Sequence, residues 1–273
     1  MVEVLVHFVA PALVGVLIGI ASGLLGIGGG TVMVPIFRLA FGMSATVSTA
    51  TSLFAIIPTS ISGAISHVKG KTCIPALGIA AGLGGACLSP VGVWLAQLSP
   101  DWLVMLAAAL IIGYSAINMF KKAFKLRPAG QPAAGVDASA PTADDSSLSR
   151  KQLLQGAAIG LVAGLASGYV GVGGGFIMVP LMLSIIGIPM RKASGTSLIA
   201  VMILAIPGVI EQGIIGNINY LAGIAIFIGT IPGAVIGARL VTKVPERTLR
   251  LLFGCFLIVA AVMLVLNEVG IFG

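Results

Sequence analysis

Residues 23–35 read GLLGIGGGTVMVP, and residues 168–180 read GYVGVGGGFIMVP. Each stretch places three consecutive glycines and a proline between long runs of apolar residues. Glycine and proline are the residue types least compatible with a regular helix. The chain therefore interrupts its backbone twice, in nearly the same order of residues, and the purpose of these interruptions is the first question that the sequence raises.

The composition indicates a polytopic membrane protein. Of the 273 residues, 58 % are hydrophobic and only 8 % are charged, and the mean hydropathy is +1.15. A soluble domain of this length needs much more charge to cover its surface. The net charge of +7 comes from basic residues in polar stretches between apolar segments, which is typical of membrane topology signals and not of a nucleic-acid site. The three cysteines lack metal-site spacing, so we predict no bound metal. We also predict no cofactor and, from the positions of the charges, no nucleic-acid partner.

The chain is predicted to consist of two homologous halves. A shift of 145 positions aligns the sequence with itself without a gap from Gly15 to Pro100, and chance similarity between glycine-rich segments does not explain so long a register. The stretch between the halves is rich in proline, alanine, serine and aspartate without periodicity, which indicates a flexible linker. The predicted units are a first transmembrane repeat (1–121), a cytoplasmic linker (122–152) and a second transmembrane repeat (153–273).

Five apolar segments in each half predict an all-α fold. Most exceed the roughly 17 residues that a helix needs to cross a bilayer, but the segment after each glycine run is much shorter. Glycines four positions apart in the first segment of each half predict close helix packing. The segments are 4–26, 32–42, 45–66, 72–97 and 102–120, then 153–171, 177–187, 193–214, 220–241 and 247–266.

The positive charges favour inverted halves. If each half has an odd number of segments, or a re-entrant pair plus three spans, thirteen of the fifteen Lys and Arg residues lie on one side. If the first two segments of each half form a single span, the halves are parallel and these thirteen divide into eight and five. The positive-inside rule selects the inverted arrangement, with the linker in the cytoplasm. Inverted repeats are typical of transporters that work by alternating access across the plasma membrane.

We interpret the glycine runs as two facing halves of an anion site. Non-helical backbone at membrane depth must be buried in protein or line a cavity. Pro35 and Pro180 suit the first turn of a helix, so a short helix is expected to start after each run, with an N-terminus that attracts anions. The alternative is that the glycines only permit a tight crossing or turn. The predicted residues are Gly28, Gly29, Gly30, Thr31, Gly173, Gly174 and Gly175.

A second polar set recurs in register on the long helices that follow. Its hydroxyls can donate to oxygens of sulfite, sulfonate or carboxylate. The alternative is that they bond to their own helix backbone, as Ser and Thr often do in membranes. The set consists of Ser48, Thr49, Thr51 and Ser52 in the first half and Ser194, Gly195, Thr196 and Ser197 in the second.

Ionisable residues near membrane depth are candidates for charge recognition or coupling. Glu211 is a candidate to carry a coupling proton, and so is His67, which aligns with Gln212. Arg38 is a candidate to guide an anion inward. The alternative for Glu211 and His67 is an interfacial position near a helix end, and the alternative for Arg38 is a side chain that snorkels outward.

The duplicated motif G-x-G-G-G-x-x-x-V-P, in a small glycine-rich membrane protein, resembles the TauE/SafE sulfite exporter family. The resemblance covers both halves and omits only the linker. It implies secondary transport of a small anion such as sulfite, sulfoacetate or a related sulfonate, with the substrate and the lipid bilayer as partners. The family is often described with four spans in each half, which differs from the inverted arrangement that the charges favour.

Three other functions were weighed. A passive anion channel is the main alternative, and a non-transporting membrane assembly factor would show no flux. An intramembrane serine hydrolase would use the serine of GIASG (19–23) with His67, but this serine recurs at 164–168 whereas the histidine does not. We therefore predict no catalytic residue. No ATP-binding signature is present, so an ion gradient or the gradient of the substrate is expected to drive transport.

The inverted arrangement predicts the sidedness of individual loops. In a variant without the native cysteines, single cysteines placed near Lys69 and near Gly216 should be labelled from opposite faces by a membrane-impermeant maleimide. Cysteines near Arg191 and near Gly216 should also differ. If the first pair is labelled from the same face, the halves are not inverted.

Overall fold

The computed structural model describes residues 10–125 and 149–268, and these residues form α-helices without β-strands. The predicted all-helical class is confirmed. Seven of the described helices are long and apolar enough to cross a membrane, whereas α1, α2 and α7 are shorter. In chain order the helices are α1 (Ala10–Leu25), α2 (Gly30–Phe41), α3 (Ala45–Lys69), α4 (Pro75–Leu98), α5 (Asp101–Lys125), α6 (Arg150–Val170), α7 (Gly175–Leu181), α8 (Met190–Ile215), α9 (Tyr220–Leu240) and α10 (Glu246–Glu268).

The predicted linker is only partly described. Its central residues, 126–148, lie outside the described residues, as do residues 1–9 of the predicted first segment. Helices α5 and α6 reach into the two ends of the predicted linker, because α5 continues to Lys125 and α6 begins at Arg150.

Local sequence signals account for several helix starts. The side chains of Ser44, Ser149 and Asn219 accept hydrogen bonds from N–H groups in the first turns of α3, α6 and α9. Such caps satisfy donors that have no partner within the helix. Pro75 opens α4, where its missing N–H leaves no bond unmade.

Helices α2 and α7 begin earlier than expected from the sequence. Each starts at the third glycine of its run, directly after Gly29 or Gly174, whose φ angles of 86° and 69° redirect the chain. Pro35 and Pro180 therefore lie in the second turn, and the prediction that they occupy the first turn is wrong. Because proline has no N–H, each helix lacks one backbone hydrogen bond at this point. Beyond α7 the chain forms a π-helical turn, Met182–Ile186.

Two pairs of helices, α1 with α9 and α6 with α4, approach each other at backbone distance. A Cβ atom placed on Gly19 would lie 2.3 Å from the carbonyl oxygen of Thr230. A Cβ atom placed on Gly164 would lie 2.1 Å from the carbonyl oxygen of Gly85. Small residues allow such close packing in lipid, and the four-residue spacing of glycines in α1 and α6 supplies them.

These contacts connect the halves reciprocally. Gly19 and Gly164 are equivalent under the shift of 145 positions, and so are Gly85 and Thr230. The first helix of each half therefore packs on the fourth helix of the other half. The remaining long helices pair with their own equivalents, since α3 packs on α8 and α5 packs on α10.

The bundle has two ends, which we call the linker end and the far end. At the far end, the carboxylate of Asp101 at the start of α5 accepts a hydrogen bond of 3.2 Å from the Ala45 N–H at the start of α3. At the linker end, where α3 and α5 finish, the Thr196 hydroxyl near the start of α8 accepts a hydrogen bond of 2.9 Å from the Ile74 N–H before α4.

Helices α1 and α2 form a hairpin whose two outer ends lie at the far end, and α6 and α7 form a hairpin whose two outer ends lie at the linker end. Helix α1 reaches toward the linker end, where Nε2 of His67 lies 2.7 Å from the carbonyl oxygen of Gly23, and α2 returns to the start of α3. Helix α6 reaches toward the far end, where the Tyr169 hydroxyl lies 3.0 Å from that of Ser99. Helix α7 returns to the linker end, where Lys122 of α5 donates a hydrogen bond of 2.9 Å to a carbonyl of α7.

The close packing predicts a stability effect. Gly19→Ala and Gly164→Ala should each lower the melting temperature in detergent, because overpacking costs about 1–3 kcal/mol. Gly113→Ala is the matched control, since a Cβ atom there meets no atom within 4 Å, and it should leave stability unchanged or slightly higher. Equal melting temperatures for all three variants would contradict the backbone contact.

Candidate functional site

The two interrupted segments touch each other inside the protein. A Cβ atom placed on Gly30 would lie 2.5 Å from the carbonyl oxygen of Val172, and one placed on Gly175 would lie 2.4 Å from that of Gly26. Gly30 and Gly175 are equivalent under the repeat, and the two contacted carbonyls, of Val172 and Gly26, are offset from equivalence by one residue. Residues 26–30 and 171–175 are all buried. The non-helical backbone of each segment is thus covered by protein, as burial in a bilayer requires.

The N-terminal ends of α2 and α7 lie at this contact. No side chain caps either helix. The first N–H groups of a helix have no partner within the helix, and together with the helix dipole they favour an anion. In α7 the first of these groups, the N–H of Gly175, donates a hydrogen bond of 2.8 Å to the carbonyl of Gly173 before the helix. Gly28 and Gly173 lie beside Ile56 and Val201, which are near the midpoints of α3 and α8. The predicted glycines are therefore at the centre of the bundle and not at its ends.

Two buried serines stand beside these helix starts without a hydrogen-bond partner among the described residues. Ser22 and Ser167 are equivalent in the repeat, and both are fully buried. A Cβ atom on Gly29 would lie 3.6 Å from the Cβ of Ser22, and one on Gly174 would lie 3.4 Å from the Cβ of Ser167. A buried hydroxyl without a partner is costly, so both groups are candidates to donate to an oxygen of a ligand.

Four further buried hydroxyls, on Thr31, Ser52, Ser60 and Ser89, have no hydrogen-bond partner among the described residues. Ser89 lies against Gly168 of α6 and Gly208 of α8. Thr31 and Ser52 belong to the predicted set, and Ser60 does not. The Ser60 hydroxyl would lie 3.6 Å from a Cβ atom on Gly28. Ser22, Ser167 and Ser60 are not among the site residues predicted from the sequence. The recurrence of Ser22 as Ser167 is a signal that identifies the first two, whereas Ser60 aligns with an alanine and has no such signal.

Thr51 and Thr196 hold helix starts in place. The Thr51 hydroxyl accepts a hydrogen bond of 3.0 Å from the N–H of Asn219. The Thr196 hydroxyl accepts one of 2.9 Å from the N–H of Ile74. The two bonds are equivalent in the repeat. One joins α3 to the residue before α9, and the other joins α8 to the residue before α4, so each connects one of the two central helices, α3 and α8, to the opposite half. Both threonine hydroxyls are therefore engaged in contacts within the protein, whereas a hydroxyl that donates to a ligand is expected to be unoccupied.

The remaining members of the second polar set are also engaged with the backbone. The Ser197 hydroxyl donates a hydrogen bond of 2.7 Å to the carbonyl of Gly26 and so ties α8 to the first glycine segment. Ser48, Thr49 and Ser194 donate to carbonyls three to five residues earlier in the chain. A Cβ atom on Gly195 would lie 2.8 Å from the His67 ring, so this glycine is required for packing.

The three ionisable candidates lie nearer the ends of the bundle. Arg38 is in the last turn of α2, and Glu211 is about one turn before the end of α8, both toward the far end. His67 is buried at the linker end, with Nε2 at 2.7 Å from the carbonyl oxygen of Gly23 and Nδ1 at 2.7 Å from the Thr72 hydroxyl. Because a carbonyl only accepts, Nε2 carries a proton.

Two carboxylates that we did not single out in the sequence occupy equivalent positions. Asp101 accepts a hydrogen bond from the N–H of Ala45, and Glu246 accepts one of 3.3 Å from the N–H of Met190. Each carboxylate therefore caps the start of a central helix from a neighbouring helix, a favourable position for negative charge. The signal is again the repeat, because both residues follow the aligned prolines Pro100 and Pro245.

The family model described as "Sulfite exporter TauE/SafE" matches residues 11–264. The chain belongs to the TauE/SafE family. The match covers both glycine segments, both central helices and every residue of the candidate site. It confirms the resemblance that the duplicated motif indicates, and together with the seven long apolar helices it establishes a multi-pass membrane protein.

Curated relatives of this TauE/SafE protein carry transporter names. It is 28 % identical over 280 residues to "Probable membrane transporter protein YunE" of Bacillus subtilis, across 97 % of this chain and 99 % of that protein. It is 28 % identical over 239 residues to YdhB of the same species, across 87 % and 92 % of the two chains. A Xylella fastidiosa protein of the same description is 25 % identical over 255 residues, across 92 % of each chain. No solved structure matches the chain. Names and family together make the protein a membrane transporter.

The helix-start contacts predict that Thr51→Val and Thr196→Val will destabilise this TauE/SafE protein. Each variant leaves a backbone N–H without its acceptor, at a cost of about 1–3 kcal/mol. The melting temperature should fall, while anion affinity in the folded fraction stays at the parental value. Thr51→Ser and Thr196→Ser keep the hydroxyl and should restore stability. A selective loss of affinity at unchanged melting temperature would instead place these hydroxyls on the substrate.

Proposed function

We propose that this transporter is a secondary active carrier that moves a small anion across the plasma membrane by alternating access. The substrate class is sulfite, a sulfonate such as sulfoacetate, or a related organic anion, in line with the family description. One observation carries the proposal. The equivalent hydroxyls of Ser22 and Ser167 are buried beside the starts of α2 and α7, and neither has a hydrogen-bond partner among the residues that the structure describes.

The chemistry of this site suits an oxyanion. Sulfite and sulfonate groups present several oxygens that accept hydrogen bonds, and the site offers serine hydroxyls together with N–H groups at the positive ends of two helix dipoles. Glycine has no side chain, so a ligand can approach the backbone closely. The site holds no fixed cation from the candidates Arg38 and His67, which lie nearer the bundle ends. Recognition by dipoles and hydroxyls permits the release that transport requires.

The course of the helices supports inverted halves. The hairpin of α1 and α2 opens from the far end, whereas the hairpin of α6 and α7 opens from the linker end. The three long helices that follow each hairpin also run in opposite senses in the two halves. Of the fourteen Lys and Arg residues that the structure describes, all but Arg38 lie toward the linker end, so the positive-inside rule favours a cytoplasmic position for this end.

Alternating access follows from this arrangement if the halves exchange conformations. In the described structure the two glycine segments are in contact and buried, which corresponds to a site closed to both sides. Movement of one hairpin relative to the central helices would open the site to one face, and the equivalent movement of the other hairpin would open it to the opposite face. An ion gradient supplies the energy, with His67 and Glu211 as the residues to carry a coupling proton.

The proposal is tested with protein reconstituted in proteoliposomes. Ser22→Ala and Ser167→Ala should each weaken sulfite binding by about tenfold or more, because a hydrogen bond to a charged group contributes roughly 1.5–3 kcal/mol. Melting temperatures should remain at the parental value. Ser115→Ala is the control, since it removes a buried hydroxyl of α5 that is not among the unpaired buried hydroxyls of the described residues. Alanine at Gly29 is a poorer test, because a φ of 86° strains any side chain.

The same preparation separates the alternatives. Sulfite flux that follows an imposed proton or sodium gradient supports a coupled carrier, whereas flux that ignores every ion gradient indicates a passive channel. Unchanged affinity in the Ser22 and Ser167 variants would place the substrate elsewhere. A serine hydrolase is not favoured, because both ring nitrogens of His67 contact Gly23 and Thr72 and not Ser22.

A further inference from the structure

A cavity of about 810 Å³ opens between α3 and α9 at the linker end. We call it the α3/α9 groove. Its wall changes in character along the helices, from apolar side chains near the middle of the bundle to hydroxyl and basic side chains at the linker end. The residues that matter here are Ile61, Ile65, Ser66, Lys69, Arg239 and Thr242.

The length of the groove matches half of a bilayer. It begins at Pro58 on α3 and ends at Lys69, the last residue of that helix. Eleven residues of helix rise about 16 Å, and one leaflet contributes roughly 15 Å of hydrocarbon. Ile61 and Ile65 are 38 % and 50 % exposed on the membrane-facing side of α3. An acyl chain can therefore lie along the apolar part while a headgroup reaches the basic part.

The two basic residues at the mouth have no acidic neighbour to neutralise them. Among the described residues, neither Lys69 nor Arg239 forms an ion pair, and the groove lining contains no carboxylate. Hydroxyls of Ser66 and Thr242 line the same mouth. Ammonium and guanidinium groups beside hydroxyls form a set that is well matched to a phosphate diester.

The repeat shows that this basic mouth is not required by the fold. The equivalent helix pair, α8 and α4, also packs together, and its corresponding end is the far end. Under the shift of 145 positions, Ser66 becomes Glu211, Lys69 becomes Ile214 and Arg239 becomes Trp94. The positive charge is therefore confined to the linker end, which carries the excess of basic residues. Anionic lipids are concentrated in the cytoplasmic leaflet, where such a charge pair is complementary.

We propose that the α3/α9 groove binds an anionic phospholipid, with its phosphate between Lys69 and Arg239 and an acyl chain along Ile61 and Ile65. This site is separate from the buried glycine segments. It rests on the proposed orientation, in which the linker end faces the cytoplasm, but it does not depend on which anion is transported or on the direction of transport.

The test measures lipid retention by the purified full chain in native mass spectrometry. Dioleoylphosphatidylglycerol should bind more tightly than dioleoylphosphatidylcholine. The double variant Lys69→Gln, Arg239→Gln should weaken phosphatidylglycerol binding by roughly thirtyfold, from two basic residues at a membrane surface. The control Lys71→Gln, Lys243→Gln removes the same charge from exposed positions at the linker end outside the groove, and it should have little effect. Ile65→Trp, which fills the apolar part without changing charge, should also reduce retention.

Three results would overturn the proposal. Equal retention of the two lipids would show that the headgroup charge is not recognised. An equal loss in the Lys71 and Lys243 control would assign the effect to general surface charge. Displacement of phosphatidylglycerol by glycerol 3-phosphate, with the same dependence on Lys69 and Arg239, would identify the groove as a vestibule for water-soluble anions. Sulfite flux measured in parallel keeps the lipid site distinct from the transport site.

Discussion

Peptide groups outside a helix find no water to bond with inside a bilayer, so the segments 26–29 and 171–174 need protein on every side. Each segment supplies part of the cover for the other, and Ile56 and Val201 of the central helices supply more. Contact at this depth is possible because α1 lies directly on the backbone of α9, and α6 lies directly on the backbone of α4. The glycine-lined faces of α1 and α6 thus determine how closely the two hairpins pack against the rest of the bundle. This packing places the N-termini of α2 and α7 at the centre of the bundle.

The hydroxyl groups around this centre divide by whether they have a protein partner. Thr51 and Thr196 accept from the N–H groups at helix starts of the opposite half, and Ser197 bonds to a carbonyl of the first glycine segment. These groups join the halves. Ser22 and Ser167 are equally buried but have no partner among the described residues. Since burial of an unsatisfied hydroxyl is unfavourable, Ser22 and Ser167 are the groups that we propose to bind the anion.

Packing follows the repeat closely, whereas charge does not. The contacts of Gly19 and Gly164, the hydroxyl contacts of Thr51 and Thr196, and the carboxylate caps of the central helices all occur in equivalent pairs. The ionisable groups differ, as His67 aligns with Gln212 and the basic mouth of the α3/α9 groove aligns with Glu211, Ile214 and Trp94. The shared packing is the basis of the alternating access that we propose, and the unequal charges give the two ends of the bundle different electrostatic character.

The sequence by itself determined the membrane class, the ten helical segments, the repeat and the position of both interruptions. These features follow from composition, from apolar run length and from self-similarity, which are properties of the chain alone. The sequence also placed Gly28 to Gly30 and Gly173 to Gly175 at the centre, because non-helical backbone at membrane depth has few other positions.

Only the tertiary structure decided which side chains remain available to a ligand. Thr51 and Ser22 are both buried hydroxyls that recur in the repeat, yet Thr51 has an acceptor role toward Asn219, which is 168 residues away in the chain. The N-cap φ angles of Gly29 and Gly174 likewise moved Pro35 and Pro180 into the second turn. A hydrogen-bond partner from the opposite half depends on how helices pack across the repeat, and no local pattern in the sequence encodes that pairing.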